Sequence, residues 1–534
     1  MNKSMRDYSK LKGNWKTILL ITIIVVSFLL RVSPLIFNRE HLIGVDTGHI
    51  LDSALNILKT GDLNPHDFHY GSLAIYLVSA FLFILKTVGV NIYSNSLWYA
   101  NFLSVIVGTL SIFFLYKLGK QIKDEKLGLI LAGLVCFLPF HIFRSTFTNG
   151  DVFGQLFTVI ALIYIVKIYK DESYKQKDYI LAGLFTGFAA ASKLNYAFLL
   201  VFFILFYFID SKFSWFKKLF RGKIVLPKGL VFYGLAVVLA FVITSPFVLI
   251  DFSDFKSVQE YNVYHLEEGS HRGQNSYATG SLFKFPYGDD SFLMIPLVFL
   301  PIGLGIGYFI LFIFSLIYIF SKKKYKNSFI LSNIIYLFIM WVYLGRFVVM
   351  APRYVFPLFI FIAILIGYFV HNNLSKKWIA ILIGVLFLYN AVLSISISSS
   401  YLHSSGYELE EWKTDNLSPD EISALNNLKI SDSGQVAPAV WKYRIKAEEI
   451  VRIMPEYLVF DKYNLNTHLL DPSLDPTGQS ETFVKRLLAG IEPYKLIEKI
   501  ERPYITRSWY QFLHRRWETY GYGNWDYYIF QRTA

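Results

Sequence analysis

Residues 17–37, TILLITIIVVSFLLRVSPLIF, form an apolar run long enough to cross the roughly 30 Å of hydrocarbon in a bilayer. The basic segment Met1–Lys16 precedes the run, and residues 45–49, VDTGH, open a polar segment after it. The run has no small-residue cleavage site and is longer than the core of a signal peptide. We therefore expect it to be a retained first membrane helix.

Composition extends this expectation to most of the chain. Of the 534 residues, 54% are hydrophobic, 18% aromatic and only 17% charged, which is more apolar than one soluble core needs. Similar apolar runs recur up to about residue 400, and residues 401–534 contain none. The sequence predicts an α-helical polytopic membrane domain over 1–400 and a small soluble α/β domain over 401–534.

The distribution of charge predicts the orientation. Lys and Arg collect in short turns, whereas residues 251–290 carry seven acids against three bases. This is the positive-inside pattern, so the basic turns are predicted to be cytoplasmic. The amino terminus is then cytoplasmic, the domain 401–534 lies outside, and the chain is a multi-pass plasma-membrane protein. Because the net charge of +13 follows these turns and forms no patch on a soluble domain, a nucleic-acid partner is excluded.

This orientation requires an odd number of crossings, and we predict about eleven. The remaining apolar stretch, Ser72–Val88, is predicted to lie in or dip into the outer leaflet. If it crosses instead, a weak span such as Tyr179–Ser192 must be reassigned. The first external loop is then 38–96 and the long external loop 251–290. The predicted spans are Thr17–Phe37, Leu97–Gly119, Leu127–Phe143, Val152–Ile168, Tyr179–Ser192, Leu194–Phe208, Gly229–Ile250, Phe292–Phe320, Phe329–Gly345, Tyr354–Val370 and Trp378–Ser398.

Other chemical signals are few. The single cysteine, Cys136, excludes an intrachain disulfide and is interpreted as a core residue. The glycines of Gly303–Gly307 lie within an apolar span, with no strand before them, and therefore indicate close helix packing and not a phosphate cradle.

Ionisable residues gather at the predicted outer ends of the spans. Such groups are costly to keep at that depth, which makes them a functional-site hypothesis by default. They include two carboxylates, several cations and two histidines of the long loop: Asp46, Arg144, Asp151, Lys193, Arg353 beside Tyr354, His265 and His271.

In order and spacing, residues 17–370 resemble the GT-C superfamily of membrane glycosyltransferases, in the branch of the protein O-mannosyltransferases and the lipid A aminoarabinose transferase. Two departures are visible. Thr47 stands where relatives often have a second acid, and His69-Tyr70-Gly71 replaces the His-Pro-Pro step of the O-mannosyltransferases, which disfavours protein mannosylation. The segments that carry the resemblance are Asp46, 54–65 (ALNILKTGDLNP), 69–73 (HYGSL), 144–151, 191–196 (ASKLNY), 245–247 (SPF) and 353–354.

The resemblance implies transfer of a hexose or pentose from a polyprenyl-phosphate donor to a lipid, glycan or protein acceptor outside the membrane. The chemistry requires a group that deprotonates the incoming hydroxyl and a group that stabilises the departing phosphate. Asp46 is the predicted general base, since partial desolvation raises the proton affinity of a carboxylate. A one-step displacement inverts the anomeric centre. Asp151 is predicted to orient the acceptor or to support the base.

The remaining candidates surround the donor and the acceptor. Arginine and lysine suit a phosphate, so no cofactor is required. A divalent ion is not excluded, because Asp46, His49, His69 and Asp151 are of suitable types, but nothing in their spacing resembles a closed metal site. The predicted donor contacts are Lys193, Arg353, Tyr354, Arg144, His69 and Tyr70, and the predicted acceptor contacts are His265 and His271.

Each assignment has a structural alternative. Asp46 and Asp151 are also good amino-terminal caps for the helices that follow them. Lys193 is also explained as a lysine that extends to the interface, and Arg353 as an interfacial anchor. At the level of the whole chain, the alternatives are a transporter or flippase for lipid-linked sugars and an envelope scaffold. No internal repeat of the kind found in transporters is visible in the sequence.

The tail is predicted to cover the membrane domain or to recognise the acceptor. Its pattern predicts helices over Glu408–Leu428 and Thr482–Leu488. Strands are predicted over Ile450–Ile453, Tyr457–Phe460 and Trp525–Phe530.

Overall fold

The fold is given by a computed structural model, which is mostly helical. It describes residues 3–37, 47–170, 175–209, 227–268, 284–285, 288–289, 291–347, 352–399, 405–426, 434–438, 447–461, 479–491, 493–500 and 527–533.

The described part of residues 1–400 consists of helices and the connections between them, together with one pair of two-residue strands. Three 3₁₀ segments, Leu194–Phe198, Lys324–Lys326 and Pro352–Leu358, and one π-helical segment, Ile295–Phe299, lie between the helices. The α-helices are α1 Lys3–Phe37, α2 Thr47–Thr60, α3 Ser72–Thr87, α4 Ser96–Ile122, α5 Glu125–Cys136, α6 Pro139–Thr146, α7 Gly150–Lys170, α8 Gln176–Ser192, α9 Leu199–Ile209, α10 Lys228–Thr244, α11 Phe247–Ile250, α12 Phe252–Glu268, α13 Ser291–Met294, α14 Leu300–Leu304, α15 Ile306–Ser321, α16 Ser328–Gly345, α17 Phe359–Asn373 and α18 Lys377–Ser399.

Six of the described helices are long and apolar enough to cross a membrane, and a seventh crossing is formed if α5 and α6 together make one span. Five further apolar helices are shorter, and α3, the segment predicted to lie in the outer leaflet, is among them. The chain is therefore a polytopic helical membrane protein, and the count of eleven crossings stays a prediction. The six long spans are Trp15–Ile36, Ser96–Ile122, Gly150–Lys170, Ser328–Gly345, Pro352–Asn373 and Lys377–Ser398.

Three predicted spans are not single straight helices. The span Leu127–Phe143 bends by 64° between α5 and α6, because Leu138 precedes Pro139 and adopts an extended conformation. The span Gly229–Ile250 is interrupted where α10 ends before Ser245-Pro246. The span Phe292–Phe320 breaks at Gly305, whose φ of 77° is left-handed and favours glycine.

The glycines 303 and 307 pack closely, as the sequence indicated. A Cβ at Gly303 would lie 2.1 Å from the Phe359 ring, and one at Gly307 would lie 2.3 Å from the carbonyl oxygen of Leu386. Residues 303–307 thus bring α14 and α15 against α17 and α18, and they form no cradle for a phosphate.

The described tail forms a four-stranded sheet with helices. Two helices, Ser405–Asn416 and Pro419–Asn426, replace the single helix predicted over Glu408–Leu428. They are separate because Ser418 and Glu421 form a capping box at the start of the second helix. The predicted strand Ile450–Ile453 is wrong: it is the end of a helix that buries Ile450 and exposes Val451. A short apolar run does not by itself separate a strand from a buried helical turn.

The other predicted tail elements lie where expected, except that residues 525–526 are outside the described residues. The sheet order is β3-β4-β6-β5, with β3 and β4 parallel and the other pairs antiparallel. The tail elements are α19 Ser405–Asn416, α20 Pro419–Asn426, α21 Ala447–Ile453 and α22 Gln479–Leu488; the two-residue strands of the long loop are β1 Lys284–Phe285 and β2 Gly288–Asp289, and the tail strands are β3 Val436–Pro438, β4 Tyr457–Asp461, β5 Tyr494–Ile500 and β6 Tyr527–Arg532.

Candidate active site

Asp151 lies in the first turn of α7 with its side chain fully buried. The cap of this helix is Asn149, whose side-chain oxygen accepts from the backbone N–H of Val152 at 3.2 Å. The Asn149 amide also donates to the carbonyl oxygens of Arg144 and Phe147, which fixes the turn between α6 and α7. The carboxylate of Asp151 is therefore not needed for capping.

The Asp151 carboxylate holds two cations instead. Its Oδ2 accepts from Arg144 Nη2 at 2.6 Å and from Lys193 Nζ at 2.9 Å. The Arg144 side chain is 2% exposed and that of Lys193 is 10% exposed. Asp151 Oδ1 has no hydrogen-bond partner among the described residues. These three residues, which we call the Asp151 cluster, carry one more positive than negative formal charge in a desolvated place.

Two glycines bring distant segments against the end of α8, where Lys193 follows. A Cβ at Gly71 would lie 1.9 Å from the carbonyl oxygen of Ala191, and a Cβ at Gly150 would lie 2.5 Å from that of Ser192. Neither position has room for a side chain. The starts of α3 and α7 therefore meet at the turn that carries Lys193.

This packing places the segment between α2 and α3 beside the Asp151 cluster. Lys193 Nζ lies 5.4 Å from the centroid of the Tyr70 ring, a cation–π contact. At the start of α2, the Thr47 hydroxyl donates to the carbonyl oxygen of Thr148 at 3.0 Å, so α2 begins next to the turn between α6 and α7. Asp46 itself lies outside the described residues.

The segments predicted as the first and the long external loops also contact each other. The amide of Asn64 donates to the carboxylate of Asp251, and Gln259 Nε2 donates to the carbonyl oxygen of Phe68 at 2.6 Å. The rings of Phe68 and Phe255 pack edge to face at 6.1 Å. Helix α12 therefore rests on the loop that carries His69 and Tyr70.

The predicted residues outside the Asp151 cluster are more scattered. The guanidinium carbon of Arg353 lies 5.2 Å from the Tyr354 ring centroid, in a 3₁₀ segment whose Phe356 carbonyl accepts from Gln155 of α7 at 3.5 Å. The carboxylate of Asp151 pairs with Arg144 and Lys193 and not with Arg353. His265 belongs to α12, and His271 lies outside the described residues.

Part of the chain matches the profile of a known protein family. Residues 78–250 match the family profile described as dolichyl-phosphate-mannose-protein mannosyltransferase. The matched range contains Arg144, Asp151 and Lys193. No curated protein sequence matches the chain.

The fold has solved counterparts. The archaeal oligosaccharyltransferase AglB from Archaeoglobus fulgidus, in complex with an inhibitory peptide and a dolichol-phosphate, is 13% identical, with a TM-score of 0.52 over 93% of this chain and 75% of that one. The Archaeoglobus fulgidus oligosaccharyltransferase tethered to an acceptor peptide is 12% identical, with a TM-score of 0.51 over 90% and 72%. These matches confirm, at the level of the fold, the predicted resemblance to the GT-C glycosyltransferases. ArnT from Cupriavidus metallidurans bound to undecaprenyl phosphate has a TM-score of 0.49 at 13% identity, over 75% and 72% of the two chains.

Among the described residues, a further buried cation was missed by the sequence interpretation. Arg31, within the first span, is fully buried. Its Nη1 donates to the backbone and side-chain oxygens of Ser27, and its Nη2 lies 3.3 Å from the carbonyl oxygen of Val135 and 2.8 Å from His141 Nδ1. At the end of α5 the Val135 carbonyl also accepts from the backbone N–H of Leu138 at 3.3 Å, and Arg31 adds a second hydrogen bond to it. In the sequence, Arg31 is a lone charged residue inside the apolar run 17–37, and this is the signal by which it could have been found.

A second missed residue is Asp67, in the segment between α2 and α3. It accepts from His49 Nδ1 at 2.7 Å and lies 3.1 Å from His69 Nδ1. Burial raises the pKa of this carboxyl, but the hydrogen bonds from the two histidines outweigh it and hold the pKa well below its ordinary value. His69 therefore lies next to Tyr70 with its Nδ1 directed at Asp67.

Proposed function

We propose that this chain is an integral-membrane glycosyltransferase that moves a hexose or pentose from a polyprenyl-phosphate donor to an acceptor outside the membrane. The observation that carries the proposal is the Asp151 cluster, held against Tyr70 and the start of α2 at the loops of a GT-C fold. The family profile, by its description, concerns a dolichyl-phosphate sugar, and the solved AglB binds a dolichol-phosphate. The sugar and the acceptor are left open by these findings.

The Asp151 cluster supplies the positive charge that a departing phosphate needs. Transfer breaks the bond between the anomeric carbon and a phosphate oxygen, and negative charge grows on that oxygen. Lys193 is the more exposed of the two cations and contacts the phosphate. Arg144 is deeper and adds its charge through the shared carboxylate. Asp151 positions both cations, because its Oδ2 already accepts two charged hydrogen bonds.

Asp46 is the proposed general base. It immediately precedes Thr47, which contacts Thr148, three residues before Asp151. The Asp46 carboxylate takes the proton of the acceptor hydroxyl while the hydroxyl oxygen bonds to the anomeric carbon. The polyprenyl phosphate leaves with its bonding electron pair on the opposite side, so the product has inverted configuration. The proposal places the site, and the domain 401–534, on the extracytoplasmic side of the plasma membrane.

The test uses Asp46→Asn and Lys193→Met in the full chain, reconstituted in liposomes. Donors are a panel of polyprenyl-phosphate hexoses and pentoses labelled in the sugar, with an isolated envelope fraction as acceptor. Loss of general-base catalysis lowers a rate by about 10²- to 10⁴-fold, which is the fall expected for Asp46→Asn with the active donor. Lys193→Met is expected to weaken donor binding as well as turnover.

Two matched controls come from the same region. Asp62→Asn removes an exposed carboxylate of the first loop, and Lys86→Met removes an exposed lysine that also lies over a tyrosine ring, that of Tyr93, at 5.9 Å. Both are expected to keep wild-type transfer. Unchanged transfer in Asp46→Asn overturns the assignment of the base. Labelled donor that crosses the bilayer with its sugar still attached, and without any transfer, supports a flippase and overturns the transferase.

A further inference from the structure

A cluster of three metal-binding side chains lies in the first external loop, apart from the Asp151 cluster. It contains His49 of α2 and both Asp67 and His69 of the segment between α2 and α3. One ligand atom from each residue lies within 4.8 Å of the others. The two imidazoles and one carboxylate are a ligand set typical of zinc and other divalent first-row metals.

The geometry of the cluster is convergent. His49 Nδ1 is 2.7 Å from one oxygen of Asp67 and His69 Nδ1 is 3.1 Å from the other. The two imidazole rings face each other at 4.8 Å with a tilt of 38°. Both Nδ1 atoms are thus directed at one carboxylate from the same side.

The distances are within reach of coordination. Two ligand atoms bound to a tetrahedral zinc ion at 2.0–2.1 Å lie roughly 3.3 Å apart. The ligand atoms of this cluster are at most 4.8 Å apart, so no pair has to approach by more than about 1.5 Å. The histidine side chains are 44% and 37% exposed, so an ion can reach them from solvent. Asp67 is 15% exposed and more firmly held.

The segment that presents Asp67 and His69 is ordered by its own hydrogen bonds. Asn64 Oδ1 accepts from the backbone N–H of His66, and Asp67 Oδ1 accepts from that of His69. Between them, His66 adopts a left-handed φ of 49°, which costs roughly 1–2 kcal/mol for a residue with a Cβ. The three ligands therefore do not have to be ordered from a flexible loop when an ion binds.

We propose that His49, Asp67 and His69 bind one divalent first-row transition-metal ion, for which zinc is the probe. The ion takes Nδ1 of each histidine and one oxygen of Asp67, and water fills the fourth position. The hydrogen bonds that now join the imidazoles to Asp67 are replaced by bonds to the metal. Binding stands independently of the transferase proposal, because it is measured without a sugar donor.

The test measures zinc content and affinity in the full chain purified in detergent without a polyhistidine tag. The protein is stripped with a chelator, titrated with zinc sulfate against a chromophoric competitor, and analysed for metal after gel filtration. The ligand variants are His49→Gln, Asp67→Asn and His69→Gln. Asp67→Asn keeps an oxygen for the N–H of His69, so the loop retains its turn.

His66 provides the matched control. It lies in the same segment and pairs with one carboxylate, Asp62, at 2.9 Å, and neither residue belongs to the three-ligand group. His66→Asn suits the left-handed backbone, since asparagine tolerates that conformation. We expect wild type and His66→Asn to retain one zinc ion after gel filtration and each ligand variant to lose it. The zinc affinity of each ligand variant is expected to fall below that of wild type by more than roughly 10- to 100-fold, which is the loss caused by removing an outer-shell partner.

Several results overturn the proposal. One is wild type that retains no zinc after gel filtration; another is equal zinc content in wild type and in all three ligand variants. Loss of zinc in His66→Asn to the same extent as in Asp67→Asn indicates diffuse surface binding and also overturns it. Thermal unfolding of each variant shows whether it is folded, so loss of zinc from a folded ligand variant is attributed to the missing ligand.

Discussion

Replacing Asp151 by asparagine is expected to destabilise the protein more than removing one of the cations it holds. Asp151 is fully buried and accepts from Arg144 at 2.6 Å and from Lys193 at 2.9 Å through the same oxygen. Removing one partner of a buried ion pair costs about 3–5 kcal/mol. The two cations bind the same oxygen and are therefore at most about 5.5 Å apart, so they repel by at least roughly 3 kcal/mol at an effective dielectric constant of 20.

Lys193→Met is expected to cost less. It loses one charge-assisted hydrogen bond, worth about 1.5–3 kcal/mol, and leaves Arg144 and Asp151 as a neutral pair. It also removes the need to desolvate an ammonium group. In the double variant Asp151→Asn with Lys193→Met, one of the two repelling charges is gone. The double variant is therefore expected to be more stable than Asp151→Asn alone, with a coupling of about 0.5–3 kcal/mol.

The assay is thermal unfolding in detergent, followed by tryptophan fluorescence at one scan rate for all variants. The expected order of midpoints is wild type, Lys193→Met, the double variant and Asp151→Asn, from highest to lowest. Two results refute the reasoning. One is a midpoint for Lys193→Met as low as that of Asp151→Asn. The other is a double variant whose unfolding midpoint is lower than that of Asp151→Asn, because repulsion between Arg144 and Lys193 would then not explain the instability of Asp151→Asn.

Two further predictions test how the site is held. Gly71→Ala places a Cβ 1.9 Å from the Ala191 carbonyl oxygen, so it is expected to displace Tyr70 from Lys193 and to lower the rate of transfer by at least about tenfold. The control is Gly384→Ala, because a Cβ at Gly384 has nothing within 4 Å. Wild-type rates of transfer in both variants refute the role of Gly71 in docking. Asp124 caps α5 and accepts from His371, and although burial raises the pKa of its carboxyl, these hydrogen bonds lower it below its ordinary value. Its stabilising contribution is therefore present above about pH 4 and is lost as pH falls through the lower folded pKa. Asp124→Ala is expected to lower the unfolding midpoint at pH 7, by about 1 kcal/mol of capping, and to have a smaller effect the further the pH falls below about 4. An effect that does not shrink at acid pH refutes this prediction.

The sequence predicts the helices of this protein well and their interruptions poorly. Each predicted span coincides with helical structure. The length of an apolar run is a good guide to such a helix, because the thickness of the bilayer sets the length that is needed. The bend before Pro139 and the break at Gly305 lie inside continuous apolar runs, so hydropathy does not detect them. A proline or glycine within such a run was the available signal, and neighbouring helices decide whether it breaks the helix.

The candidate site is predictable in part for a similar reason. Charged residues at the ends of spans identified Arg144, Asp151 and Lys193, since a buried ion stands out in an apolar sequence. Their pairing was not predictable, because it depends on how α7 and α8 pack. Asp67 was overlooked, as acids are ordinary in a polar loop, and its two histidine partners become visible only when α2 is placed beside the loop. The role of Asp46 stays a prediction.

The packing around Lys193 leaves no room for a side chain at two residues that carry no chemistry. Gly71 and Gly150 lie against the end of α8, where an added Cβ would be 1.9 and 2.5 Å from a carbonyl oxygen. The starts of α3 and α7 therefore approach the turn that carries Lys193 more closely than any other residue type would allow. In a close-packed interior, a side chain at either position would have to displace one of these segments. The glycines therefore determine the geometry of the Asp151 cluster, and the charged side chains determine what that geometry binds.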